Sequence, residues 1–255
     1  MARFTDMVVL ITGATGGFGL RLAERFAAEG ARLVLSDLDA GRLDRAAAGL
    51  DAETATLAGD VADETLSQDL VALALSRFGR LDVAVNNAGI VHDFMKLPQT
   101  PSDVARRVFE VDLLGMFFAM KHQIPALERQ SKEKGLPGAI VNIASVAGIA
   151  GAPKLGVYAA AKHGVVGLTR SAAAECATKG VRINAVCPSF ARTAMVTGIL
   201  GDDDPAAEAA LTRGVPMRRL AETDEIAEVV LFAADPKNSF MTGQALAADG
   251  GITAI

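Results

Sequence analysis

Tyr158 is the one tyrosine of the chain, and Lys162 follows it by four positions in Tyr158-Ala-Ala-Ala-Lys162. On a helix, side chains at i and i+4 share a face, so the phenol and the ammonium point together. A free tyrosine has a pKa of about 10 and is almost wholly protonated at neutral pH. A fixed ammonium beside it favours the phenolate. Such a tyrosine takes a proton from an alcohol, or returns one to a ketone, as a hydride moves the other way. Ser145 stands thirteen residues before Tyr158, directly after an apolar run, where its hydroxyl is placed to hold the reacting oxygen. Taken alone, a Tyr/Lys pair is more often a packed helix tyrosine with a chance neighbour. The meaning of this one depends on what else the chain brings to it.

The segment Thr12-Gly13-Ala14-Thr15-Gly16-Gly17-Phe18-Gly19 follows the apolar run Met7–Ile11 and opens an amphipathic stretch. In such a turn one glycine takes the tight bend, another lets a pyrophosphate reach the backbone, and the last lets helix pack close on strand. The free N–H groups of the helix start then face the anion. A lone glycine-rich turn is a weak signal. Here a strand precedes it, a helix follows, and Asp37 ends the next strand, 18 positions past Gly19, close to the spacing of about 20 in dinucleotide sites. A carboxylate there accepts hydrogen bonds from ribose hydroxyls and repels a 2′-phosphate. Leu38 follows it, and Ala14–Phe18 contains no Lys or Arg. The expected cofactor is therefore NAD rather than NADP, with Arg42 near enough in sequence to soften the preference.

These residues need a scaffold. Short apolar runs recur at Met7–Thr12, Arg32–Ser36, Ala55–Ala58, Val83–Val85, Ala139–Ile143, Arg182–Val186 and Gln244–Ala247. Most are bounded by Gly, Asn, Asp or Pro, as buried strands are. Segments of helical period lie between them: Phe18–Glu29, Asp63–Phe78, Val104–Glu128, Val157–Thr178 and Asp224–Ala234. Alternation of this kind predicts an α/β fold, a doubly wound parallel sheet with helices on both faces. No Pro/Ser-rich linker divides the chain, so residues 1–255 are expected to form a single dinucleotide-binding domain. The polar stretch Arg129–Pro137 reads as a surface connection. Met195–Arg213 breaks the rhythm and reads as a candidate lid over the substrate, with Asp202–Asp204 a solvated turn.

Of 255 residues, 51% are apolar and 22% charged, enough for a full core. The net charge of −5 argues against a nucleic-acid partner, which would need a basic face. No apolar run approaches the roughly 18 residues that span a bilayer. Met1–Asp6 has no signal-peptide core, so a cytoplasmic protein without a membrane partner is expected. Cys176 and Cys187 make neither a disulfide framework nor a metal cluster, and no metal is expected. Cys187 reads as a small buried hydrophobe with no base to make it a thiolate. His122 and His163 read as helix-surface or interface residues, and His92 equally as cleft border or packing. Phe94, Met95 and Phe117 read as core before substrate wall, although the first two fall in a cleft-edge loop.

With these motifs together, the sequence resembles the classical short-chain dehydrogenase/reductase family, nearly end to end. Thr12–Gly19 matches that family's Thr-Gly-x-x-x-Gly-x-Gly, with Gly13, Gly17, Phe18 and Gly19 at the cofactor positions. The resemblance implies that Asp60 and Val61 contact the adenine ring. It implies that Asn87 and Gly89, in Asn86-Asn87-Ala88-Gly89, border the cofactor. Ala191 would offer its backbone to the nicotinamide carboxamide, and Thr193 its hydroxyl. Ser145, Tyr158 and Lys162 match the catalytic residues in type and spacing, with Lys162 also holding the nicotinamide ribose. Further implied are strand order 3-2-1-4-5-6-7 and a homotetramer packed through the helices around Val104–Glu128 and Val157–Thr178.

Two positions depart from the family pattern. Asp112 stands where an asparagine usually holds a water in a proton relay to the lysine; a working enzyme with an altered relay is expected. Ser189 replaces a glycine, at little cost unless its φ is positive. The reading is an NAD(H)-dependent oxidoreductase that interconverts a secondary alcohol and a ketone. A 3-oxoacyl-thioester reductase using NADPH is the alternative, with Arg106, Arg107 and Lys121 as a patch for an acidic carrier protein. An extended-family epimerase is disfavoured by the glycine spacing, and a non-catalytic dinucleotide sensor by the intact Ser145, Tyr158 and Lys162. The small apolar residues between Val146 and Val157 lean towards an apolar substrate pocket.

Overall fold

Seven parallel strands lie in the order β3-β2-β1-β4-β5-β6-β7, as the resemblance implies. The structure, a computed structural model, describes residues 2–193, 196 and 205–255. The strands are β1 (Val8–Thr12), β2 (Arg32–Ser36), β3 (Thr54–Thr56), β4 (Val83–Asn86), β5 (Gly138–Ile143), β6 (Val181–Pro188) and β7 (Ala245–Ala248). At the centre, Leu10 of β1 pairs with Val34 on one side and Ala84 on the other. Successive side chains of a strand face opposite sides of the sheet. Val9, Ile11, Leu33, Leu35 and Val141 therefore pack with Leu22, Phe26, Val230 and Leu231 on one face. Val8, Leu10, Val34, Ile140 and Ile183 pack with Leu70, Met120, Leu127 and Ala173 on the other. Burial on both faces is why the strands read as unbroken apolar runs.

The helices are α1 (Gly17–Ala28), α2 (Ala40–Ala48), α3 (Glu64–Phe78), α4 (Ser102–Phe109), α5 (Gly115–Lys134), α6 (Gly156–Cys176), α7 (Pro205–Leu211) and α8 (Thr223–Ala234). Among the described residues, none is long and apolar enough to cross a membrane. The long helix expected at Val104–Glu128 is α4 and α5 joined by a widened π-helical turn, Glu110–Leu114. Of the surface connection expected at Arg129–Pro137, residues 129–134 instead continue α5, which stops at Gly135 with φ 66°, and 135–137 connect it to β5. Gln130 explains the difference: it is buried, accepts from Leu81 N at 3.0 Å and donates to Leu81 O at 2.7 Å. Helix α2 gave no periodic signal because it buries one residue, Leu43; its start is capped by Asp39, which accepts from Arg42 N. Of the candidate lid at 195–213, Val196 and 205–213 are described; Met195, 197–204 and with them Asp202–Asp204 lie outside the described residues.

A buried polar network fastens α5 and α6 to the sheet. Asn86 Nδ2 of β4 donates to Gln123 Oε1 of α5 at 3.0 Å and to Asn142 Oδ1 of β5 at 2.9 Å. Gln123 Nε2 donates back to Asn86 Oδ1, and Asn142 Nδ2 donates to Thr169 Oγ1 of α6 at 2.9 Å. Every polar group here has a partner, and removing one strands the others away from water. Asn142→Ala is expected to cost about 2–3 kcal/mol. The loss should appear as a lower urea midpoint at unchanged slope, followed by circular dichroism.

Candidate active site

The carboxyl ends of the strands open onto one cleft of about 430 Å³, the place where open α/β sheets bind ligands. The glycine-rich turn forms one wall. Gly13 takes φ 66°, and a Cβ there would come within 2.9 Å of Ala88 Cα. A Cβ on Gly19 would overlap the Gly13 carbonyl oxygen, so α1 approaches β1 this closely only with glycine at that position. Asn87 Nδ2 pins the turn by donating to Thr12 O at 2.9 Å and Gly13 O at 3.1 Å. Helix α1 starts with no side-chain cap and no acidic residue in its first turn, which leaves its positive end to an anionic ligand. This uncapped glycine cradle fits a dinucleotide pyrophosphate.

At the end of β2, Asp37 Oδ2 accepts from Thr15 N at 2.8 Å and Thr15 Oγ1 at 2.7 Å, and its Oδ1 accepts from Leu38 N at 2.7 Å. These bonds fix the carboxylate at the cleft edge. Arg42 also lines the cleft, with Nη2 donating to Thr15 O at 3.1 Å. Past β3, Asp60 accepts from Ala62 N at 3.0 Å and from Arg107 Nη2 at 2.6 Å.

The centre of the cleft holds Asp112, Ser145, Tyr158 and Lys162. Tyr158 and Lys162 share a face of α6, with Nζ 5.5 Å from the phenol ring centroid. Lys162 is 3% exposed and Asp112 fully buried. Lys162 Nζ donates to Ile143 O at 3.1 Å and lies 3.2 Å from Asp112 Oδ2, a charge contact rather than an aligned hydrogen bond. Asp112 Oδ1 accepts from Ile90 N at 2.8 Å. Burial pulls the lysine pKa down, but the charges of Asp112 and Tyr158 outweigh it and the net direction is upward. The ammonium is therefore retained. Ser145 Oγ accepts from Ala147 N at 3.1 Å, which leaves its own proton to donate. Cys187 is buried, and burial pushes its thiol up to about 11, as expected of a packing residue.

Every expected site residue lines this cleft except Gly19, which packs beneath the turn: Gly13, Gly17, Phe18, Asp37, Leu38, Asp60, Val61, Asn87, Gly89, Asp112, Ser145, Tyr158, Lys162, Ala191 and Thr193. Ser189 also lines it, and its φ is not positive, so the substitution stores no strain. Of the cleft-edge pair, Phe94 is a wall residue and 41% exposed. Phe117, expected in the core, is 42% exposed. His92 is buried outside the cleft lining, His122 meets Glu64 Oε1 at 3.0 Å, and His163 is exposed. Arg107 was not anticipated as a cleft residue; no local motif marks it, because its partner Asp60 is remote in sequence. Phe190 was also missed, although an aromatic directly after Pro188-Ser189 is a readable hint.

A family model described as Enoyl-(Acyl carrier protein) reductase matches residues 13–253. The chain is 41% identical to a cis-4-hydroxycyclohexanecarboxylate dehydrogenase of Sinomonas cyclohexanicum, over 99% of this chain and 98% of that one. It is 38% identical to a 2,5-dichloro-2,5-cyclohexadiene-1,4-diol dehydrogenase of Sphingobium indicum, over the full length of both. Among solved structures, a 3-ketoacyl-(acyl-carrier-protein) reductase from Brucella melitensis complexed with NADH superimposes with a TM-score of 0.91 at 32% identity. That likeness covers 98% of this chain and 99% of the other.

The Asp112–Lys162 pair carries a stability consequence of its own. Asp112→Ala leaves an ammonium buried without its counter-charge, a change that costs about 3–5 kcal/mol. Asp112→Asn keeps the side-chain volume and one oxygen, which accepts from Ile90 N–H or faces Lys162 but no longer serves both, and is expected to lose less than Asp112→Ala. Urea melts of the two variants beside the parent protein check that order.

Proposed function

The chain belongs to the short-chain dehydrogenase/reductase family, NAD(P)(H)-dependent oxidoreductases of small alcohols and carbonyl compounds, and from that premise we propose that it is an NAD(H)-dependent dehydrogenase of a secondary alcohol. The observation that carries the reading is one cleft in which Ser145, Tyr158 and a buried, charged Lys162 stand beside the glycine cradle. The dinucleotide, when bound, supplies the hydride acceptor or donor. Tyr158 Oη takes the proton of the alcohol during oxidation and returns it during reduction. Ser145 Oγ donates to the reacting oxygen and holds it beside Tyr158. Lys162, with one bond to Ile143 O and a charge contact with Asp112, keeps a donor for a ribose hydroxyl and stabilises the phenolate. Asp112 occupies the relay position and offsets the lysine charge. Gly13, Gly17, Phe18 and Gly19 serve the pyrophosphate, Asp37 and Leu38 the adenosine ribose, and Asp60 and Val61 the adenine. Asn87, Gly89, Ala191 and Thr193 border the nicotinamide half.

The relatives named for ring alcohols support a carbocyclic secondary alcohol as substrate. Val196 and Leu211, both within 195–213, line the cleft, which supports reading the described part of that insertion as a substrate wall. The reading carries with it a cytoplasmic homotetramer packed through the runs Ser102–Lys134 and Gly156–Cys176. Leu114 and Phe117, exposed on the first of these, support such packing. The acyl-thioester alternative loses part of its basic patch, because Arg107 is tied to Asp60 and Lys121 to Glu64 at 2.6 Å each.

Tyr158→Phe is expected to lower kcat by about 10²–10⁴-fold while binding NADH nearly as well, measured by fluorescence titration. Normal turnover would refute the proton-transfer role. For the cofactor, the kcat/KM ratio of NAD⁺ to NADP⁺ is expected to be on the order of 10². Asp37→Ser should collapse that ratio, with Arg42 left to meet a 2′-phosphate. A parent protein that prefers NADPH would instead bring the acyl-thioester reading forward.

A further inference from the structure

The cleft is polar at one end and apolar at the other. Its charged side chains are Asp37, Arg42, Asp60, Arg107, Asp112 and Lys162. Asp37, Arg42 and Asp60 follow β2 and β3, Arg107 of α4 reaches over to Asp60, and Asp112 and Lys162 stand together. Arg42 bonds Thr15 O, Arg107 meets Asp60 at 2.6 Å, and Lys162 lies 3.2 Å from Asp112. Beyond Tyr158 the walls are Val91, Phe94, Val146, Leu155, Phe190 and Leu211. Ser145, Tyr158 and Ser189 supply the polar side chains next to them.

Among the described residues no cation lines this apolar end. Lys154, the one charge between Val146 and Val157, is exposed and does not line the cleft. Arg192 is held at 3.3 Å by both Glu208 and Glu222. A carboxylate or phosphate carried into such a wall loses its water and gains no partner, whereas a hydrocarbon ring gains by leaving water. A second hydroxyl remote from the first would also be left unpaired.

We infer that the substrate is an uncharged alicyclic secondary alcohol, or its ketone, whose ring bears no anionic group. This rests on the dehydrogenase reading above and narrows it. It also separates this chain from its relative named for a hydroxycyclohexanecarboxylate.

Three substrates of like shape isolate the charge: trans-4-methylcyclohexanol, trans-4-hydroxycyclohexanecarboxylate and the methyl ester of that acid. Each is oxidised with saturating NAD⁺ at one pH. Both neutral compounds are expected to exceed the acid in kcat/KM by at least about 10-fold. Phe94→Arg, which places a cation on the exposed part of the wall, is expected to narrow or reverse that ratio. An acid turned over as well as the alcohol and the ester overturns the inference and leaves the dehydrogenase reading standing. A ratio unmoved by Phe94→Arg overturns the placing of the ring against this wall. No turnover of the three alcohols, nor of cyclohexanones with NADH, by protein that still binds NADH sinks the dehydrogenase reading itself.

Discussion

The ammonium of Lys162 is held almost wholly out of water, and the centre of the site is arranged to permit it. A buried charge costs several kcal/mol unless a counter-charge and hydrogen bonds replace the lost solvent. Here the replacements come from separate elements. Ile143 at the end of β5 supplies a carbonyl, and the turn between α4 and α5 supplies the Asp112 carboxylate. The same carboxylate takes the Ile90 N–H from the segment leaving β4. One ion pair therefore joins two strand ends, a helical turn and α6. The widened turn at Glu110–Leu114 is part of the same arrangement, since it carries Asp112 inward in the middle of a long helical run. Widened turns of this sort recur at functional sites.

A parallel sheet makes that convergence possible. All seven strands run the same way, so their carboxyl ends and the segments leaving them share one edge. Glycines at the β1 exit bring α1 onto that edge, and the Asn86–Gln123–Asn142–Thr169 network holds α5 and α6 against the strands behind it. The residues facing the cleft are thus positioned by groups that never touch it.

Much of this was legible in the sequence, for a physical reason. Strands covered on both faces must be apolar throughout, which marks β1, β2, β5 and β6 plainly. The glycine turn and the Tyr158/Lys162 spacing are local patterns, and local patterns survive in one dimension. Contacts between distant segments do not. Gln130 is polar and reads as loop, yet its amide closes on the Leu81 backbone and continues α5. Arg107 shows no sign in sequence of its bond to Asp60. Helix α2 buries Leu43 alone, too little for a periodic signal. Phe117 is apolar on a helix, yet it stands 42% exposed with its ring 5.7 Å from that of Phe118.

The same distinction separates what the cleft can bind tightly from what it can select. Among the described residues the cleft is lined by three carboxylates, Asp37, Asp60 and Asp112, and by three cations, Arg42, Arg107 and Lys162. With side-chain charge balanced, attraction for an anionic dinucleotide rests chiefly on backbone N–H groups and the open start of α1. Those donors are fixed by the fold and read phosphate, whatever the nucleotide. Discrimination falls to the few side chains that are not shared: Asp37 at the ribose end, and the apolar walls beyond Tyr158 at the other. In the proposed reading, a carboxylate fixed by three hydrogen bonds is what disfavours a 2′-phosphate. An apolar wall that no described cation lines cannot reward a charged substrate. In the proposed reaction, selectivity at both ends therefore comes from what the cleft withholds, while binding comes from what every strand end offers.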